Sequence, residues 1–411
     1  MGHDVHRPGL DQPLMPAARV AAMDVLRGLA LLGILLMNLE GFAGPPAQMG
    51  TGVDPALRGM DRWADAAIYV LVQGKFIALF SLLLGAGFAV MVTRAEHEGG
   101  SLGAVWGRRC AGLLLIGLLH AVLVWSGDIL VTYALCGWVL LAFREILGGL
   151  LAWIGVGIFL IPAGVSLLAG LADLSMAGDA TWQHALQEQA EHAARLASAQ
   201  VQAYAHGSFL AATAQRLQDL GNTLSMLPMT GAQVLGLFLI GAWLGPVLSR
   251  PQTHVRVLGW MRWGGLPLGL LLMLGAVALT PWIEPGRADL RTCVAAALAA
   301  AASLPLCLGY VGWVTRWLAA GRSGWITASL AAAGRLALSN YLLQSLVCVG
   351  VFYGYGLGAF GLGRLWQVLF ALALFAVQLL LSRWWLARGR LGPAEWLLRA
   401  LTYARVPKRA H

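Results

Sequence analysis

An all-α polytopic membrane bundle is the fold class this sequence predicts, on three observations. The 411 residues are 59% hydrophobic and only 11% charged, with a mean hydropathy of +0.71, whereas a soluble domain carries about a quarter charged residues. The apolar residues gather into ten runs, most of them near the roughly 20 residues that a helical span requires. The basic residues fall between the runs and on alternate sides of them, as the positive-inside rule demands. The formal charge of +9 therefore reads as topology, and nucleic acid is not expected as a partner.

The chain begins with a polar tail, residues 1–20, containing Pro8, Pro13 and Pro16. No small-residue cleavage site follows the first apolar run, so that run is expected to be an uncleaved anchor. The ten spans are expected at 25–43, 64–92, 110–125, 129–143, 146–171, 224–248, 257–283, 292–315, 336–353 and 365–386. The third and fourth are short and joined by Ser126-Gly127-Asp128, which predicts a tight hairpin. With the N-terminus inside, 20 of the 28 Lys and Arg residues fall on the cytoplasmic side and 7 outside, so both termini are expected to be cytoplasmic. The remaining one, Lys75, lies within the second span, which Gln73-Gly74-Lys75 interrupts. The segment before the break could be an interfacial or re-entrant helix, which would place Lys75 near the outer surface, either snorkelling or functional.

This divides the chain into an N-terminal membrane half (21–171), an external loop (172–223), a C-terminal membrane half (224–388) and a cytoplasmic interfacial helix with a basic tail (389–411). The external loop reads as one or two amphipathic helices, with Trp182, Leu186, Leu196, Tyr204, Leu217 and Leu220 as apolar contacts. It could act as a lid over an outward-facing site. His184, Glu188 and His192 share a helical face at metal-like spacing, but a solvated polar face explains them better, and no metal is expected. The five cysteines stand singly in or beside apolar runs and read as packing residues, as does the Gly241-Ala-Trp-Leu-Gly245 pair of small residues.

Ionisable and amide side chains inside apolar helices are the candidates for chemistry, because an unpaired charge there costs several kcal/mol. Asp24 and Arg27 stand three apart at the cytoplasmic mouth of the first span, and Asn38 near its far end. His120 lies in the outer half of the third span with Asp128 a few residues above it, and Tyr133 follows in the fourth. A carboxylate beside a buried imidazole can orient the ring and stabilise its charged form, which is what a general base needs. Asn340 and Gln344 are four apart on one face of the ninth span and could bind a ligand or another helix. Arg335, at the entrance to that span, could hold an anionic head or phosphate, or simply mark topology. The Gly-rich stretch 353–363 lacks the Lys and Ser or Thr of a phosphate loop and reads as a connection. Gly392-Pro393-Ala394-Glu395-Trp396 starts an interfacial helix, with Glu395 and Arg399 at i, i+4, that looks like a structural clamp.

These residues together resemble the YeiB family of bacterial inner-membrane proteins, whose C-terminal half is a domain of unknown function. The resemblance rests on Asp24-Val-Leu-Arg27-Gly28, on His120 with Gly127-Asp128-Ile129-Leu130, on Asn340-Tyr341-Leu-Leu-Gln344-Ser345, and on Gly392-Pro393-Ala394-Glu395-Trp396 through Thr402-Tyr403, and it covers almost the whole chain. It implies a multi-pass protein of the bacterial inner membrane. The family in turn looks like a distant relative of transmembrane acyltransferases, which open with the same Asp-x-x-Arg and usually place a catalytic His fourteen residues after the Asp. Here that position holds Asn38, so a base must come from elsewhere.

What the resemblance implies is an acyltransferase moving an acyl group from a coenzyme A-type or other activated donor to a hydroxyl or amine, at or across the membrane. Arg27 and Arg335 would hold the donor and His120, oriented by Asp128, would be the base. Asn38 or Lys75 would stabilise the oxyanion, while Asp24, Asn340, Gln344 and Tyr133 would line the binding site. No permanently bound cofactor is expected; acyl-coenzyme A would be a transient donor. Expected partners are membrane lipids and a small or lipid-linked substrate, with a homo-oligomer left open. The alternative is a transporter or lipid-binding protein using the same polar residues as a path. Transporters often carry broken helices in matching positions of both halves, and only one interrupted segment, at 73–75, stands out here.

Overall fold

The computed structural model describes residues 21–98, 102–146, 148–321 and 324–404. The expected polar tail at 1–20 and the end of the basic tail at 405–411 lie outside the described residues. Within them the secondary structure is helical, with one isolated bridge between Gly52 and Trp282.

The first half comprises α1 (Ala21–Ala43), α2 (Gly59–Leu71), α3 (Lys75–Glu98), α4 (Leu102–Leu123), α5 (Leu130–Leu140), α6 (Gly149–Phe159) and α7 (Ile161–Ser175). The external loop folds into α8 (Ala180–Val201) and α9 (Phe209–Ser225). The second half comprises α10 (Leu227–Ser249), α11 (Val255–Trp260), α12 (Leu266–Leu279), α13 (Leu290–Ala319), α14 (Trp325–Arg335), α15 (Ala337–Phe352) and α16 (Arg364–Leu386), followed by α17 (Pro393–Tyr403). Among the described residues, eight helical segments are long and apolar enough to cross a membrane, and the bent pair α14–α15 makes a ninth. The short segment Leu130–Phe143, expected as the fourth span, is an apolar helix below that length. The protein is a multi-pass membrane bundle. Its outer faces expose large apolar side chains such as Leu115, Leu119, Trp153, Leu168, Leu271 and Leu380, which suits lipid and not water.

α1 is the axial element. One face of it, Met23, Leu26 and Ala30, packs with Leu79 and Leu82 of α3, Leu244 of α10 and Val311 of α13. Another, Val25, Leu31 and Ile34, packs with Leu113 of α4, Leu130 of α5, Leu330 of α14 and Tyr341 of α15. Backbone approach is closest where side chains are absent. A Cβ on Gly28 would lie 2.1 Å from the Leu330 carbonyl oxygen, and one on Gly241 2.1 Å from that of Leu82. The Gly241 motif therefore packs α10 on α3, as its small-residue spacing implies.

Three further spans differ from the sequence expectation. The fifth is broken at Leu160 between α6 and α7, where Pro162, at the start of α7, has no N–H to donate. The seventh starts with a 3₁₀ turn at Pro251–His254 and passes through a π-helical turn at Met261–Gly265 before α12. The ninth begins earlier than expected: α14 precedes it and meets α15 at an angle of 84°. Eleven residues are too few for α14 to register as a span, so sequence length alone reads it as a loop. The bend is held from outside. The Glu395 carboxylate of α17 accepts hydrogen bonds from the Leu338 and Ser339 N–H groups (2.8 and 3.1 Å), the otherwise unpartnered donors at the start of α15. The clamp expected of the Gly392–Trp396 motif is this cap.

The external hairpin lies on the end of the bundle opposite α17. Asp219 of α9 accepts from Ser126 Oγ (3.0 Å), Gln200 (3.0 Å), Gln215 (2.9 Å) and the Tyr204 hydroxyl (2.5 Å). Its neighbour Arg216, fully buried, donates to the carbonyls of Val122 and Leu123 at the end of α4 (3.4 and 3.3 Å) and to Tyr355. A second closed network joins Arg364 of α16 to Asp65 of α2 (2.8 Å) and Glu40 of α1 (3.4 Å). His184 and Glu188, by contrast, form an exposed pair on the solvated face of α8.

Candidate functional site

His120 occupies the last turn of α4, and Asp128 the hairpin that leads into α5. Five residues, Val124 to Asp128, suffice to turn the chain, and the turn brings the two side chains together: His120 Nδ1 lies 2.7 Å from Asp128 Oδ2. Both are buried, at 2% and 0% side-chain exposure. The other carboxylate oxygen accepts the Val131 N–H (3.1 Å), capping α5, so the acid is held from both sides. Tyr341 of α15 donates its hydroxyl to Asp128 Oδ2 (3.4 Å), and its ring centroid is 5.3 Å from that of His120. With Nδ1 committed to the carboxylate, His120 Nε2 is buried and has no hydrogen-bond partner among the described residues. A carboxylate-oriented imidazole with its second nitrogen uncommitted is the arrangement of a general base.

Beside this pair a cavity of about 240 Å³ runs between α1, α4, α5 and α15. Arg27, Arg109, Arg335 and Arg399, with the single carboxylate of Glu395, line it at the end nearer α17, while Ile34, Ile129, Tyr133 and Tyr341 line it at the end nearer the dyad. Four guanidinium groups converging from four helices favour an anion, and phosphates above all, because the planar fork donates to two oxygens at once. Arg27 also pairs with Asp24 at 3.2 Å. Tyr341 is shared between cavity wall and dyad, so the apolar end of the cavity is one side chain from His120.

Of the residues singled out from the sequence, His120 and Asp128 meet, Arg27, Arg335 and Tyr133 line the cavity, and Asp24 supports Arg27. Tyr133 itself bonds Ser81 Oγ at 2.8 Å. Asn340 and Gln344 are used elsewhere. The Gln344 amide donates to Gln378 of α16 (2.8 Å) and the Asn340 amide to Ser382 (3.0 Å), a polar ladder that joins two helices. Lys75 sits at the start of α3, donating to the Tyr69 carbonyl (2.9 Å) and facing Met273 Sδ (3.4 Å) on a different flank of the bundle. Among the described residues, Asn38, although buried, neither lines the cavity nor bonds to the dyad.

Arg109, Arg399 and Tyr341 were missed by sequence reasoning. Arg109 counts there among the topology markers, Arg399 as the i, i+4 partner of Glu395 in the clamp, and Tyr341 stands in the Asn340–Ser345 motif without a role of its own. Only the packing of α17 on α4, where Arg108 Nε donates to the Thr402 carbonyl (2.7 Å), brings Arg109 and Arg399 together.

Comparison with known proteins agrees with this architecture. Residues 245–405 match a family model described as a protein of unknown function (DUF418). The chain is 33% identical over 414 residues to the uncharacterized protein YxaH of Bacillus subtilis, covering 95% of this chain and 96% of the relative. It is 32% identical over 404 residues to the uncharacterized protein YeiB of Escherichia coli, covering 93% and 96%. An uncharacterized 39.9 kDa protein of Bacillus acidopullulyticus is 25% identical, over 96% of both chains. Identity at this level along nearly the whole length, together with the matched C-terminal model, means that the chain belongs to the YeiB family of multi-pass membrane proteins.

Proposed function

We propose that this protein is an acyltransferase of the bacterial inner membrane that takes its acyl group from a coenzyme A-type donor. The observation that carries this reading is an arginine-lined cavity whose far wall, Tyr341, hydrogen-bonds the carboxylate that orients His120. The donor's phosphates sit among Arg27, Arg109, Arg335 and Arg399, and its thioester arm follows the apolar end of the cavity towards the dyad. His120 Nε2 takes the proton from an acceptor hydroxyl or amine as that atom attacks the thioester carbonyl. The new ester or amide bond forms, the carbon–sulfur bond breaks, and the proton passes from the imidazolium to the leaving thiolate. Asp128 stabilises the imidazolium between the two transfers. Asn38 and Lys75 lie outside the cavity and have no part in this scheme.

The test is binding and transfer with radiolabelled acetyl-coenzyme A on purified protein and on membranes. Saturable binding that is lost in Arg335→Ala/Arg399→Ala but kept in His120→Ala, with transfer of label to membrane acceptors lost in both, is the expected result. A wild-type protein that binds no acyl-coenzyme A would overturn the proposal. A second reading, a carrier open towards the basic face, draws on the closed external hairpin over the other end. Uptake of a solute by vesicles without any acyl transfer would favour it.

A further inference from the structure

A second, separate hollow lies on the lipid-facing side of the bundle. It is a lateral groove of about 440 Å³ between α15 and α16, floored at one end by the start of α17. Its walls are apolar, with Leu342, Leu343 and Leu346 on one side and Leu381 on the other, and Trp384 and Trp385 stand at the end nearer α17. The polar side chains in the wall are already engaged: Ser339 with Glu395, and Asn340 with Ser382. The groove therefore presents hydrocarbon surface with no unmet polar demand, which fits an acyl chain and not a polar solute.

Cationic side chains stand at the tryptophan end of it. Arg388 lies with its guanidinium 3.7 Å from the centroid of the Trp384 ring, and Arg390 lies 5.8 Å from that of Trp385. Both arginines are exposed. Stacking on the tryptophans holds the two cationic planes beside the groove mouth, where Arg388 Nη1 also donates to the Trp384 carbonyl (3.1 Å). Tryptophan with arginine at one end of a hydrocarbon groove matches the headgroup level of a leaflet.

From this geometry we infer that the α15–α16 groove is a specific site for an anionic glycerophospholipid, with one acyl chain between Leu343 and Leu381 and the phosphate at Arg388 and Arg390. The site is distinct from the arginine-lined cavity, although Leu336 contributes to both walls.

Delipidated full-length protein titrated with phosphatidylglycerol or phosphatidylcholine, and followed by native mass spectrometry, tests this. The wild type should take up one phosphatidylglycerol per chain in preference to phosphatidylcholine. Arg388→Ala/Arg390→Ala should weaken phosphatidylglycerol binding roughly 30-fold and leave phosphatidylcholine unchanged. Leu343→Trp, which fills the groove without altering charge, should reduce uptake of both lipids. Arg250→Ala, at a remote exposed arginine, should change neither. Equal wild-type affinity for the two lipids would overturn the inference. So would retained phosphatidylglycerol binding in both groove variants, or an equal loss in Arg250→Ala.

Discussion

The two ends of the bundle use charge in opposite ways. At the end under the external hairpin the charges are buried: Asp219 among neutral donors, Arg216 against carbonyls and tyrosines, and Arg364 against Asp65 and Glu40. At the end under α17, four arginines line a cavity. Buried charges matched within the protein mainly fix geometry, because their desolvation consumes most of the Coulombic gain. Cations around an apolar-ended cavity, by contrast, border a volume that a ligand can enter. On the proposed function the working end is the basic face, while the hairpin packs over the end of α4 through Arg216.

Four measurements would break or sharpen that contrast. The largest effect belongs to His120→Ala, which should lower acyl transfer by about 10²- to 10⁴-fold without loss of folded protein; unchanged transfer rates would remove the dyad from the chemistry. Next is Asp219→Ala at the sealed end. It leaves the donors of Ser126, Gln200, Gln215 and Tyr204 without their acceptor and should cost about 3 kcal/mol, read as a lower Tm and as faster proteolysis of α8–α9. A smaller effect is expected at the open end. Arg399→Ala should raise the donor KM about tenfold with little change in Tm, the inverse of Asp219→Ala.

The smallest concerns pH. Asp179 caps α8, accepting from the Thr181 and Trp182 N–H groups, and these bonds hold its carboxyl below the ordinary value of 3.8. Its folded pKa is depressed, so its stabilisation is complete above that value and is lost as pH falls through the folded one. The protection factor for hydrogen exchange at the first turn of α8 should fall only below about pH 4, and the Asp219 network should stay protected.

Much of the membrane architecture could be read from hydropathy, because span length is dictated by bilayer thickness and not by partners. The breaks were harder. Pro162 gives a local reason for the interruption between α6 and α7, but α14 is too short to announce itself. It is helical against α1 because Gly28 and Gly334 let two backbones approach. At the site, the His120–Asp128 pair was legible because only a short turn separates the two residues. Asn340 and Gln344 were not separable into ligand contacts or inter-helix bonds until α16 supplied Gln378 and Ser382.

By itself, then, the sequence determined a multi-pass helical protein of the YeiB family and one buried acid–imidazole pair, since hydropathy, charge asymmetry and short spacing are local properties. Tertiary structure alone decided which arginines share a cavity, which end of the bundle is closed, and which amides are spent between helices. Those outcomes depend on side chains far apart in the chain, Arg27 with Arg399 or Ser126 with Asp219. No local pattern encodes the angle at which their helices meet.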